Sequence, residues 1–294
     1  MNRLVTLLSL WVFRLIALGP RWLMLANASL MGGLAFALGH YRRKIALANL
    51  KACFPDWPQE KREAIAKQHF YFYSRAFLER FEVWYGSKER LRQRVKLEHM
   101  EHFLAHEGKP VILLAPHFLG LDAGGVRFLL ERNSITMYKK HSNPVLDEWI
   151  KKGRTRFHDP VVVSRSEGFG KLVRHLRKGL PFYFLPDMDL GAKDSIFVPF
   201  FGVQAATVTS VVRLSRLVGA TVVPLVTRMT DEGYVATFYP GWTHPNDDSI
   251  ETVAQGVARM NQFIEQRVLE MPAQYLWTHR RFKTRPAGEP SIYG

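Results

Sequence analysis

His117 and Asp122 are the residues of this sequence whose types and spacing best suit catalysis. They follow an apolar run, 110–116, that predicts a β-strand, and a second apolar segment of helical pattern begins beside Asp122. A histidine beside a carboxylate acts as a general base with its orienting partner. Residues five apart on one helix point about 140° away from each other, so these side chains can meet only across a bend. The alternative is a strand-end histidine that only caps the next helix.

The same spacing occurs once more, at His102 and Glu107. Both residues lie in one polar pattern of helical period, 98–107, which is typical of a solvated surface. We therefore prefer the first pair, because it lies at a junction between a strand and a helix, where α/β sheets usually present their chemistry.

Other polar residues also follow predicted strands. Arg165 comes just after one such run, and Asp187 and Asp189 follow another. Because the carboxyl ends of parallel strands share one edge of a sheet, these side chains are predicted to lie near His117. A guanidinium at that edge suits a phosphate group, although Arg165 could equally be an ordinary surface arginine. The two aspartates could equally be turn residues.

Several other chemistries have little support in the sequence. Asp187 and Asp189 resemble a two-carboxylate metal site, but no second kind of ligand is spaced beside them, and we expect no metal. There is no Gly-x-Ser-x-Gly motif, and Cys53 lies in a helical region, which disfavours a covalent mechanism. Neither a P-loop nor a dinucleotide fingerprint is present, and we expect no cofactor. Direct transfer with His117 as the base fits best.

The composition is that of a basic globular chain with one cysteine. Its 294 residues are 47% apolar, which is enough for one large or two modest domains. A single cysteine excludes an intramolecular disulfide and fits a reducing compartment. The formal net charge of +15 predicts an anionic partner such as nucleic acid, anionic lipid or an acidic carrier protein.

The N-terminal segment, 1–44, is unusually apolar. Residues 22–39 carry no formal charge, and as a helix they would measure about 27 Å, the lower limit for a membrane span. The segment either just spans the bilayer, or it lies at the membrane interface as a hairpin with its arginines at the lipid headgroups. A buried core helix is one alternative; a signal peptide is another, disfavoured because Arg14 interrupts the apolar run. The basic residues 42–44 favour a cytoplasmic main body.

The remaining chain, 45–294, predicts a single catalytic α/β domain behind this anchor. Two helical patterns come first, at 44–53 and 59–84, the second with an aromatic stripe that suits core or membrane contact. Strand-like runs then alternate with helical patterns. The strands are predicted at 110–116, 134–139, 160–163, 181–186 and 220–229, and the helices at 121–132, 144–156, 166–178, 205–218 and 250–270. This alternation predicts a mostly parallel central sheet flanked by helices on both faces.

A run of aromatic and basic residues, 274–286, lies near the end of the chain. Four cations fall within 280–285, and Tyr275, Trp277 and Phe282 are interleaved with them. This mixture is typical of a headgroup interface or of a site for a phosphorylated substrate. It also suits nucleic acid, because aromatic rings stack on bases.

These stretches together resemble the late acyltransferases of lipid A biosynthesis, the lauroyl and myristoyl transferase type, within the glycerolipid acyltransferase superfamily that carries a His-x4-Asp/Glu motif. The resemblance covers most of the chain. Its residues are His117–Asp122, Tyr138–Pro144, Pro186–Asp189, Ser195–Phe200, Val223–Pro224 and Gln274–Pro286, within which Trp-x-His-Arg-Arg-Phe-Lys-Thr-Arg-Pro is the most specific string. Lipid A members often carry Glu where Asp122 stands. This departure leaves open another glycolipid, an aminolipid or a polyene-type lipid as the acceptor.

The resemblance implies a glycerolipid-acyltransferase-like fold and direct acyl transfer from a thioester to an acceptor hydroxyl. His117 would take the hydroxyl proton, and Asp122 would fix the tautomer of its imidazole. Arg165 and Asp187 would hold the acceptor headgroup. Lys139 and Asn143, in the matching stretch after the second predicted strand, are further candidates for substrate binding.

The resemblance also implies partners and a location. The expected donor is acyl carrier protein, which is acidic and would dock on a basic surface, with a coenzyme A thioester as second choice. The expected acceptor is a lipid at an anionic membrane surface, with the catalytic domain on the cytoplasmic side of the inner membrane, and we expect no nucleic acid partner. Two alternatives from other classes are a basic nucleic-acid-binding protein, which would need neither membrane nor His117, and a catalytically inactive membrane scaffold.

Overall fold

The computed structural model describes residues 3–138, 140–164, 169–245 and 249–294. The helices are α1 (Arg3–Leu18), α2 (Arg21–Leu38), α3 (His40–Cys53), α4 (Gln59–Tyr85), α5 (Lys88–Arg94), α6 (Glu101–Leu104), α7 (Leu121–Glu131), α8 (Pro144–Arg154), α9 (Phe169–Arg177), α10 (Ser210–Val218) and α11 (Ile250–Glu270). The strands are β1 (Val95–Glu98), β2 (Val111–Leu114), β3 (Ile135–Tyr138), β4 (Val161–Ser164), β5 (Phe182–Phe184), β6 (Ser195–Phe200), β7 (Val203–Val208), β8 (Thr221–Met229) and β9 (Tyr234–Phe238).

The central sheet has the strand order β1-β9-β8-β2-β5-β3-β4. Strands β8, β2, β5, β3 and β4 run parallel to one another, whereas β9 is antiparallel to β8 and pairs in parallel with β1. Because β5 lies directly beside β2, the loops that follow these two strands meet at the same edge. The predicted α/β fold with a mostly parallel sheet is confirmed.

The central strand β2 shows why helices cover both faces of the sheet. All of its side chains are buried, and they alternate between two apolar clusters. Val111 and Leu113 pack in the cluster that contains α7, whereas Ile112 and Leu114 pack in the cluster that contains α11. A strand that is apolar on both faces needs such double cover, because each face would otherwise remain in water.

The hairpin formed by β6 and β7 differs from the expectation. Residues 205–208 were predicted to open a helix, but they pair with β6, and α10 begins only at Ser210. The turn between the two strands uses positive φ angles at Phe201 (50°) and Gly202 (75°). The short strands β1 and β9 were not predicted either. The strand β1 pairs with β9, which lies far along the chain, and local patterns do not reveal such a partner.

The N-terminal helices pack along α4 and keep an apolar face outside. Gly32 of α2 lies so close to α4 that a Cβ atom there would stand 2.7 Å from the Tyr71 Cα. Only 17% of the candidate span Arg21–Leu38 is buried, so the interpretation of α2 as a buried core helix is wrong. Exposed apolar side chains of the two helices include Trp11, Leu15, Trp22, Leu30 and Leu34. The next helix, α3, runs without a break across residues 44 and 45.

Four residues of the aromatic and basic run near the end of the chain are buried. Tyr275, Trp277 and Phe282 lie in the core, and the Arg281 guanidinium donates to the backbone oxygen of Ala206 at 2.9 Å. The prediction of a headgroup-facing surface is therefore wrong for these four residues. The mixture of residue types led to the wrong prediction, because aromatic rings and a paired arginine suit a protein core as well as a membrane interface.

Candidate active site

His117 is paired with Asp187 at the carboxyl edge of the sheet. Its Nδ1 lies 2.6 Å from Asp187 Oδ1, and its backbone N–H donates to Asp187 Oδ2 at 2.9 Å. The sheet register explains this meeting, because Leu114 pairs with Phe184 and each functional residue follows three positions later. His117 and Asp187 therefore lie side by side, each three residues beyond paired residues of two neighbouring parallel strands.

The electrostatics of the pair favour a charged aspartate. Burial alone would raise the pKa of Asp187, but attraction to His117, the two hydrogen bonds from it and the positive charge of Arg281 together leave this pKa below its ordinary value. Above about pH 4 the ionised carboxylate therefore contributes its full stabilisation, which is lost as the pH falls through the lowered pKa. Burial, then the Asp187 charge beside it, raises the pKa of Tyr275 well above its ordinary value.

This arrangement sets the tautomer of His117. A charged acceptor at Nδ1 holds a proton there, which leaves Nε2 as the nitrogen able to accept a proton from a substrate. The His117 side chain is 15% exposed, whereas that of Asp187 is 1% exposed. The pair thus combines an accessible base with a buried orienting group.

A short segment after α11 holds the loop that carries His117. Leu276 N–H donates to the His117 oxygen at 3.0 Å, and Leu119 N–H donates to the Gln274 oxygen at 2.8 Å. The Gln274 side chain in turn accepts from Met229 N–H at 2.7 Å and donates to the Met229 oxygen at 2.9 Å. The Gln274 amide therefore fixes this segment to the end of β8, and the segment fixes the histidine.

Substituting Gln274→Ala is expected to destabilise the protein by about 1–3 kcal/mol, because both buried backbone groups of Met229 lose their partner. Thermal unfolding of the purified protein measures this. Gln255→Ala, which changes an exposed glutamine on α11, is the matched control and should leave the melting temperature unchanged. Equal melting of the two variants would contradict the role assigned to Gln274.

Asp189 and His279 have structural roles close to the pair. The Asp189 carboxylate accepts from Gly191 N–H and from the Thr284 N–H and hydroxyl. Its own N–H donates to His279 Nε2 at 3.0 Å. Burial, followed by the charge of His117, lowers the pKa of His279 to about 4, so His279 is neutral at pH 7. Asp189 is thus a turn residue, as one interpretation of the sequence had it.

Asp122 lies away from the position predicted for it. Instead of contacting His117 Nδ1, its carboxylate binds Arg154, whose Nε lies 2.8 Å from Oδ1, and Arg80, whose Nε lies 3.0 Å from Oδ2. The two arginines lower the Asp122 pKa against the opposing effect of burial. The predicted contact fails because α7 starts immediately after the bend and turns Asp122 toward α4 and α8.

Asn143, another predicted binding residue, has a structural role at the start of α8. The Asn143 side chain caps α8 by accepting from Val145 and Leu146 N–H, and its amide donates to the Thr6 hydroxyl at 3.0 Å. Lys139 and Arg165 lie outside the described residues. Their roles stay predictions.

The sequence reasoning missed several residues that shape the site. Tyr275, His279 and Arg281 lie near Asp187, and they fall within Gln274–Pro286, one of the stretches that carried the family resemblance. That resemblance marked the segment as important, but only the fold shows that it lies behind the catalytic pair. No local signal identified Arg80 or Arg154, which come from two different helices.

Comparisons with known proteins show the family of the chain. The family of bacterial lipid A biosynthesis acyltransferases matches residues 1–284. The chain is 34% identical to the lipid A biosynthesis lauroyltransferase of Escherichia coli, over 90% of this chain and 86% of that protein. It is also 34% identical to the palmitoleoyltransferase of the same organism, with the same coverage. The corresponding myristoyltransferase is 31% identical over 90% of this chain and 82% of its own length.

Proposed function

Because the chain belongs to the bacterial lipid A biosynthesis acyltransferase family, we propose that it transfers a fatty acyl chain from a thioester to a hydroxyl of a lipid A precursor. The observation that carries the chemical part of this proposal is the 2.6 Å contact between His117 Nδ1 and Asp187. This contact directs Nδ1 toward the carboxylate and leaves Nε2 available, which is what removal of a hydroxyl proton requires.

The proposed reaction is a direct transfer. His117 Nε2 takes the proton of the acceptor hydroxyl as its oxygen attacks the thioester carbonyl. The new carbon–oxygen bond forms, the carbon–sulfur bond breaks, and the imidazolium returns the proton to the leaving thiolate. Asp187 stabilises the imidazolium without taking up the proton itself. The nucleophile is the acceptor oxygen, so no covalent enzyme intermediate arises.

We propose acyl carrier protein as the donor. The net charge of +15 supports docking of a strongly acidic partner, because complementary potentials speed association and orient the encounter. A coenzyme A thioester is the second choice. Arg165 and Lys139 remain candidates for holding the acceptor, since both are cations and they come directly after β4 and β3 in the sequence.

An assay with purified protein tests this function. Radiolabelled acyl-acyl carrier protein and an underacylated lipid A precursor in mixed micelles should give a product whose mass increases by one acyl chain. Parallel reactions with an aminolipid or another glycolipid test the alternative acceptors. A protein that binds these lipids but forms no acylated product from any of them would contradict the proposal and support an inactive scaffold.

Contacts at both ends of α2 support an interfacial attachment to the membrane. At its start, Arg21 pairs with Glu79 of α4 and donates to the Asp231 oxygen. Just beyond its end, Arg42 donates to the Thr278 oxygen at 3.0 Å. A helix anchored to the catalytic body at both ends lies along that body and cannot cross a bilayer without pulling it into the lipid. We propose that the outer apolar face of α1 and α2 lies in the cytoplasmic face of the inner membrane.

The protein is expected to remain on membranes in about 1 M salt, because burial of apolar side chains is not screened by ions. The double substitution Leu15→Glu and Leu34→Glu should release it into the soluble fraction after ultracentrifugation. Leu217→Glu, at an exposed leucine on α10, is the control and should stay bound. Release of the wild-type protein by salt alone would show a purely electrostatic attachment.

Labelling of cysteines can separate the two membrane arrangements. With Cys53→Ala as background, Trp22→Cys and Tyr41→Cys place single thiols at exposed positions near the two ends of α2. An interfacial helix exposes both to an impermeant maleimide from the same side of sealed vesicles. Labelling from opposite sides would show that α2 spans the bilayer.

A further inference from the structure

Asp122 gathers two arginines from different helices into one cluster. Arg154, the last residue of α8, places Nε at 2.8 Å and Nη2 at 2.7 Å from Asp122 Oδ1. Arg80 of α4 places Nε at 3.0 Å from Oδ2. The carboxylate is buried, whereas the arginine side chains are 32% and 38% exposed for Arg80 and Arg154 respectively. Buried Asp122 thus anchors two cations that face outward.

The aromatic ring beneath the arginines is fixed in place. Both guanidinium carbons lie 5.7 Å from the centroid of the Trp84 ring, which is almost fully buried. Trp84 packs against Trp149 at a centroid distance of 4.9 Å, and the absence of a side chain at Gly153 makes room for it. A rigid ring under the two guanidiniums restricts the conformations of both arginine side chains. Less conformational entropy is then lost when a ligand binds there.

The charges of the cluster do not balance. Two guanidiniums share one carboxylate, so the cluster carries one surplus positive charge. Within the described residues, both Nη nitrogens of Arg80 and the Nη1 of Arg154 have no hydrogen-bonded partner. These donors therefore remain available to a second anion.

The cluster also lies next to the catalytic loop. Asp122 is in the first turn of α7, five residues after His117, and Gly120 between them packs against the backbone of Thr227 with no room for a Cβ atom. The position of the cluster relative to the base is therefore fixed by close packing. The partial positive charge at the start of α7 adds to its attraction for anions.

We propose that Arg80 and Arg154, held by Asp122, bind a phosphate group of a substrate. This assigns to Asp122 the role of a positioning residue for the two arginines, and leaves the orientation of the imidazole to Asp187. The inference rests on the proposed function only for the identity of the substrate. The phosphate belongs either to the headgroup of the lipid acceptor or to the phosphopantetheine arm of the donor.

Equilibrium binding tests the site without turnover. The probes are an acylated glucosamine 1-phosphate in detergent micelles, the same lipid without its phosphate, and phosphopantetheine, each titrated calorimetrically into the wild-type protein and into Arg80→Gln. The substitution should weaken the binding of one phosphate-bearing probe about 10- to 100-fold, the effect of losing charge-assisted hydrogen bonds. The affinity for the lipid without phosphate should not change.

The outcomes distinguish the two sources of the phosphate. Weaker binding of the phosphorylated lipid alone assigns the site to the acceptor, and weaker binding of phosphopantetheine alone assigns it to the donor. Arg92→Gln, at an exposed arginine paired with Glu131, is the matched control and should bind as the wild type does. Unchanged affinity of Arg80→Gln for both phosphate-bearing probes, in protein that melts normally, would overturn the proposal even if acyl transfer is confirmed.

Steady-state kinetics test the role of Asp122. Asp122→Asn should raise the KM for the substrate that carries the phosphate about 10-fold or more, because the arginines lose their anchor, while kcat and its pH profile change little. A residue that orients the imidazole would instead lower kcat and shift that profile. A fall in kcat with unchanged KM would overturn the assignment.

Discussion

Replacing His117 with alanine is expected to lower kcat for acyl transfer by about 10²- to 10⁴-fold, the usual cost of losing a general base. The KM values should change little, because Nε2 acts on the reacting proton and not on the headgroup. Initial rates with saturating thioester and acceptor measure the effect.

The control for this substitution is His102→Ala, because His102 and Glu107 repeat the spacing of His117 and Asp122. In the structure Glu107 pairs instead with Arg132 on the surface. His102→Ala should therefore retain the wild-type rate. A His117→Ala protein with wild-type melting and a rate within a few-fold of the wild type would show that another group removes the proton.

Replacing Asp187 with asparagine is expected to lower kcat by about 10²- to 10⁴-fold as well. An amide can donate to His117 Nδ1 as well as accept from it, so it favours the wrong tautomer and no longer stabilises the imidazolium. The size and shape of the side chain hardly change, and the circular dichroism spectrum should stay that of the wild type. Rates measured across pH separate a loss of base strength from a loss of fold.

Asp122→Asn is the matched comparison, because it makes the same chemical change at the other carboxylate near the catalytic loop. It should lower the free energy of unfolding by about 1–3 kcal/mol, since its ion pairs with Arg80 and Arg154 weaken, and leave kcat largely intact. The opposite ranking, with Asp122→Asn devoid of turnover and Asp187→Asn active, would show that the sequence motif and not the observed contact identifies the orienting group.

Much of the architecture follows from the sequence. Apolar runs such as 110–116, alternating with helical patterns, predicted strands in the right places, because a strand buried on both faces must be apolar throughout. The same reasoning placed His117 at the end of a strand. The string from Trp277 to Pro286 identified the family, since so long a match is rare by chance.

The partner of His117 was decided by the tertiary structure. Asp122 is its neighbour in sequence, but Asp187 is its neighbour in space, 2.6 Å away, because β5 lies beside β2 with Leu114 opposite Phe184. Strand order and register arise from contacts between segments far apart in the chain, and local sequence patterns do not predict those contacts. The same reason explains why two arginines from α4 and α8 converge on Asp122 and why the C-terminal aromatic residues are core. The sequence thus determined which residues could do chemistry, and long-range packing determined which of them meet.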